Sequence, residues 1–157
     1  MGVIGNPNSL PGRYYFDSTI LVNRSTYDIE VVDMSLGPPD EGEQSGVAYY
    51  WYESALHPLI ASGPVPDPFP DYLRSFDGTP MVLHPVDAAW WQIQQPQGDP
   101  SARTIIVAVD YRGGERLVLG PLTVTYRLPN TSTTYSIVVQ SNCGVICPRG
   151  DTGPCIP

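Results

Sequence analysis

Three cysteines, Cys143, Cys147 and Cys155, fall within the last fifteen residues, "CGVICPRGDTGPCIP". Thiols so placed can close a disulfide or ligate a soft metal. With an odd number, at most one internal bridge forms, and one cysteine stays free or pairs with another chain. Closing a loop of this size stabilises a fold by roughly 2–3 kcal/mol. No histidine or fourth cysteine lies close by in the sequence, so a four-ligand zinc site would need distant residues. The same stretch contains Arg149-Gly150-Asp151, the integrin-binding tripeptide, but a match of three residues arises readily by chance. Gly144, Gly150 and Gly153 share one register of three, as in a collagen triplet pair. The register fails at Cys147 and Ile156, which excludes an independent triple helix because only glycine fits its axis. What remains is a tail pinned to its own body or to a neighbour, with a three-fold axis between copies as one arrangement.

Other residue types with chemical capacity are scattered. His57 and His84 each precede a proline, with no His-x-x-His, Glu-x-x-His or Cys-x-x-Cys spacing to set a partner beside them. No Gly-x-Ser-x-Gly elbow and no glycine-rich phosphate loop occurs. The acidic loops "PDEGE" and "PDPFPD" lack the Asp-x-Asp-x-Asp-Gly spacing of a calcium-binding hand. The expectation is therefore no catalytic residue, no metal and no cofactor. Asn23 and Asn130 open Asn-x-Ser/Thr sequons, which read as coincidental without a secretory leader. Aromatic residues are the second resource. Within 47–52, Val47, Tyr49 and Trp51 alternate with Ala48, Tyr50 and Tyr52, and a Trp90–Trp91 pair follows later. One set of an alternating run faces the core, so Trp51 is expected inside. Tyr50, Tyr52 and Trp91 are then candidates for an exposed interface, together with Arg149 and Asp151 of the tail.

These residues must be held by strands. Residues 104–111 place Ile105, Val107, Val109 and Tyr111 on one face, and residues 122–128 place Leu122, Val124, Tyr126 and Leu128 on one face. Residues 134–140 continue with Tyr135, Ile137 and Val139 inward. "RGGE" and "PNTST" read as turns, so these three segments are expected to form an antiparallel meander. Gly120-Pro121 interrupts the middle of it, where a bulge, a bend or a change of sheet is expected. Earlier, Tyr27, Ile29 and Val31 alternate with polar neighbours, and Ile20 and Val22 suggest a preceding strand. The segment "YLRSF" suggests one helical turn. Taken together, seven or eight short strands predict an all-β fold, an antiparallel β-sandwich or small β-barrel with long Pro/Gly-rich loops and extended termini. The organisation read from the chain is an N-terminal arm over 1–13, a single β domain over 14–141 and a cysteine/glycine-rich tail over 142–157.

Composition narrows the class of function. The chain of 157 residues holds 18 Pro, 15 Gly and 41% apolar residues, enough to fill one core. It has no lysine, and eight arginines face sixteen acids for a net charge of -8. Such a body repels phosphate backbones, so nucleic-acid binding is not expected. No apolar run approaches the roughly 18–20 residues that span a bilayer, and the start lacks the basic and apolar regions of a signal peptide.

In general style the chain resembles small virion proteins of tailed bacteriophages: acidic β-rich bodies with Pro/Gly arms and collagen-like fragments such as "RGDTGP". The resemblance implies a non-enzymatic structural protein, of capsid decoration (cement) or minor tail type. It would stabilise a repeating coat or tail lattice on the virion exterior, acting as a homo-oligomer, with a trimer favoured. The alternative is a secreted or surface β-sandwich that binds carbohydrate through exposed Tyr and Trp.

Overall fold

Strands with one apolar face need a second apolar layer to bury it, and the chain provides that layer with two antiparallel sheets. The computed structural model describes residues 10–53, 63–64, 71–86, 101–140 and 144–148. Its strands in chain order are β1 (Gly12–Leu21), β2 (Ile29–Leu36), β3 (Ser45–Glu53), β4 (Gly63–Pro64), β5 (Arg74–Ser75), β6 (Met81–Leu83), β7 (Arg103–Tyr111), β8 (Leu117–Val118), β9 (Leu122–Arg127), β10 (Thr134–Gln140) and β11 (Val145–Ile146). No helix occurs among the described residues. One sheet has the order β4-β1-β7-β3-β5, the second β10-β9-β2-β6, and β11 pairs with β8 in a short ribbon. Neither sheet closes on itself, so the architecture is a sandwich and not a barrel.

The core lies between the sheets. Tyr14 and Phe16 of β1 and Ile105, Val107 and Val109 of β7 meet Val31 and Met34 of β2 and Leu122 and Val124 of β9. Each fully buried aliphatic side chain stabilises the fold by roughly 1.5–3 kcal/mol. Two bulges explain why simple alternation does not hold throughout. The register of β1 shifts between Asp17 and Thr19, so odd-numbered Leu21 joins even-numbered Tyr14 and Phe16 in the core. In β2 it shifts between Val31 and Asp33, so Val31 and Met34 share a face.

β7 is central and buried on both faces. Ile106 and Ala108 point away from the inter-sheet core and pack in a second layer with Tyr15 and Tyr52, covered in part by Tyr72 and Leu73. A strand enclosed on both sides reads as a nearly continuous apolar run, as residues 105–109 do.

The expected meander is corrected. β9 and β10 do form a hairpin, but β7 lies in the other sheet between β1 and β3, and β9 has β2 as its second neighbour. After the Gly113-Gly114 reversal the chain enters β8, which pairs with β11 and not with β7. Of the bulge, bend or change of sheet expected at Gly120-Pro121, the structure has the change of sheet, from the β8–β11 ribbon to β9. The amide of Gly37 donates to the carbonyl of Pro121 at 2.8 Å, and a Cβ at Gly120 would collide with the carbonyl oxygens of Gly37 and Pro38. Only glycine permits that approach.

The ends of the body also differ from expectation. β1 begins at Gly12, inside the stretch read as an arm, and Arg13 is fixed there by hydrogen bonds to Asp110 (2.7 Å) and to the Gly46 carbonyl (2.9 Å). β11 lies inside the stretch read as a tail. Within "YLRSF" only Tyr72 belongs to a turn and Arg74–Ser75 form β5, so the expected helical turn is replaced by a short strand.

Candidate interaction surface

β10 is built from TYSIVVQ, a sequence of β-branched and aromatic residues with no charge. It is placed by the turn at 128–131. Asn130 adopts a left-handed conformation (φ 61°), and the Thr131 hydroxyl and amide both donate to the Leu128 carbonyl, at 2.6 and 3.2 Å. The ladder then pairs Tyr135 with Tyr126, Ser136 with Thr125 and Ile137 with Val124. The Tyr126 and Tyr135 rings lie 5.7 Å apart, and the Thr125 and Ser136 hydroxyls share a 2.8 Å hydrogen bond.

This strand ends the four-stranded order, so one side of its backbone has no ladder partner among the described residues. Its large side chains lie in solvent: Tyr135 is 52%, Ile137 48% and Val138 64% exposed. The core takes in Val139 but not Ile137 or Tyr135. Beside Ile137 an apolar cleft of about 230 Å³ opens between the sheets, lined by Leu21, Val31, Leu83, Val124 and Tyr126. No Asp, Glu, Arg or His occurs anywhere in residues 128–148. An unpaired apolar edge with neither a charge nor a proline to guard it is a template for pairing with another strand.

The residues singled out from the sequence lie elsewhere. Tyr52 is corrected as an interface candidate: it is 1% exposed, under the outer layer against Tyr72 at 5.6 Å. That burial also removes it from any sugar-stacking platform. Tyr50 is half-buried, 5.7 Å from Tyr15. Trp51, expected in the core, is half-buried at its margin, with the guanidinium carbons of Arg74 and Arg103 each 5.2 Å from its ring. Trp91, Arg149, Asp151, Cys143, Cys155 and His57 lie outside the described residues.

Cys147 is buried and disulfide-bonded, packed with Val118 and Val145. The segment before it is fastened by β11 and by the Leu119 amide, which donates to the Gly144 carbonyl at 2.9 Å. A Cβ on Gly144 would strike the Phe16 ring. Gly144 is thus required inside the chain's own body, which takes one of the three glycines away from a collagen-like contact between copies.

Several polar groups elsewhere have structural partners. His84 Nδ1 lies 2.9 Å from Asp28 Oδ1 on the surface. The buried Asn23 amide donates to the carbonyls of Tyr27 and Leu83, at 2.6 and 2.9 Å, while its oxygen accepts from the amide and hydroxyl of Ser25. Its nitrogen is therefore not open to glycosylation in the folded chain. The Tyr15 phenol is pushed up from its ordinary value, chiefly by burial. For Arg13, burial opposes the charge, but hydrogen bonds to Asp110, Tyr50 and Tyr15 outweigh it and hold the guanidinium above its ordinary value. Among the described residues no group of three or more His, Cys, Asp or Glu side chains is arranged to hold a metal ion.

No protein-family model matches this chain, and no similar curated protein or solved structure was found.

Proposed function

We propose that this chain is a non-enzymatic structural protein that binds a repeating coat or tail lattice on the exterior of a virus particle and stabilises it. The observation that carries this reading is the β10 edge, with Tyr135, Ile137 and Val138 held in solvent on an ordered strand. An unpaired strand edge that exposes large apolar side chains is a site for association with another chain, and a subunit that works by burying surface needs such a site. The virion setting rests on the resemblance in style of the acidic β body and its Pro/Gly-rich termini. No catalytic residue takes part in this function.

Density-gradient fractionation of particles from the producing cells tests it. The chain is expected in the particle fraction at a copy number matching a repeating lattice, and the particles should lose resistance to heat when it is absent. A chain found wholly outside particles, with particle stability unaffected by its removal, refutes the proposal.

A further inference from the structure

We infer that β10 is a homotypic docking edge: two copies of this chain pair antiparallel through residues 134–138, with Tyr135 of one copy opposite Ile137 of the second. This rests on the reading of the chain as an assembly subunit, and it names the partner on this face.

Symmetry restricts the register. A two-fold axis that relates antiparallel edge strands stands perpendicular to the sheet and preserves its faces, so residues of like parity must oppose one another. The β9–β10 ladder is regular from Thr134 to Val138 and shifts between Val138 and Gln140. The regular stretch is centred on Ser136. An axis beside Ser136 sets Tyr135 against Ile137 of the second copy on one face, and Val138 against Thr134 on the other. Aromatic residues opposite β-branched ones are favourable cross-strand pairs. The contact would cover the three large apolar side chains of β10 that the single chain leaves exposed.

Charge allows a second copy at this edge and gives a basic partner no advantage there. At a net charge of -8, copies of this chain repel one another over most of their surface. Residues 128–148 carry no charge, so this edge is where two copies meet with least repulsion. A basic partner would find nothing to pair with there. The two sheets would join into one of eight strands, with Tyr126, Tyr135 and Ile137 of both copies side by side beneath the joint.

Sedimentation velocity on the full chain over a range of concentrations tests the inference, with Ile137→Lys and Val138→Lys as variants. A reversible dimer is expected, and each variant should raise its dissociation constant by about tenfold or more. Amide hydrogen exchange at 134–138 should slow as dimer forms. Circular dichroism reports folding; should Ile137→Lys unfold the chain, Val138→Lys, on the opposite face, carries the test. A chain monomeric at all concentrations, or a dimer indifferent to both variants, overturns the inference. A monomer that still enters particles, with 134–138 protected there, overturns it while leaving the structural-protein reading intact. A β10-dependent dimer that never enters particles upholds the pairing and refutes that reading.

Discussion

Val124 and Ile137 face each other across the β9–β10 ladder, yet Val124 is 2% exposed and Ile137 48%. The pair marks where the inter-sheet core ends. Val124→Ala should cost about 1–3 kcal/mol of stability through lost burial and the cavity left behind. Ile137→Ala should cost under about 1 kcal/mol, because water already reaches that side chain. Urea denaturation of both variants, below the concentration at which copies associate, measures the difference. Equal losses would mean that the core extends over β10.

Gly144→Ala sets a methyl group against the Phe16 ring, within a packed interior. The expected cost is about 1–3 kcal/mol. Adding Phe16→Leu should relieve the collision, so the double variant should lose less than the two single losses combined, as a double-mutant cycle will show. Strict additivity would dissociate Gly144 from Phe16.

Cys147 is half of a disulfide, and the chain has three cysteines, so one thiol should react per denatured, unreduced chain and three after reduction. Thiol titration gives both counts. Replacing Cys147 by Ala should lower stability by roughly 2–3 kcal/mol, since the bridge that closes a loop among the cysteines of residues 143–155 would be lost. A melting temperature indifferent to reductant contradicts this.

The raised Tyr15 value fixes the sign of an alkaline effect. The folded state keeps the phenol protonated at a pH where the unfolded state has begun to release it. Its contribution to stability is therefore complete below the ordinary value of 10.0 and is lost as pH rises through and beyond it. Denaturation midpoints should fall across that range, and Tyr15→Phe should flatten the fall. An equal fall in both proteins would exclude Tyr15 as the source.

Much of the fold was legible because period-two alternation reports which side chains share a face. Residues 122–124 carried that signal clearly, residues 105–109 read as a continuous apolar run, and Gly120-Pro121 marked an irregularity that could be a bulge, a bend or a change of sheet. Strand adjacency was not legible. Periodicity in β7 and β9 says nothing about whether they are neighbours, so a meander was expected where two sheets face each other. Alternation also says nothing about how far the opposing sheet reaches. Tyr135 and Ile137 carry the pattern of core residues and lie in solvent, while Tyr52 carries the pattern of an outer face and lies under a second layer. The one sequence signal for the β10 surface was the missing charge over 128–148, a property of composition and not of period.

The central place of β7 has a consequence for the chain as it leaves the ribosome. β1 and β3 find their long partner only in β7, and their other pairings, with β4 and β5, are two residues long. β3 is complete at Glu53 and β7 only at Tyr111. At ordinary rates of synthesis this leaves two aromatic-rich strands without their sheet for a time on the order of 10 s. Until β7 is made, Tyr14 and Phe16 of β1 and the aromatic run of β3 have no long strand to pair with, and β7 must then take its place between two strands synthesised before it.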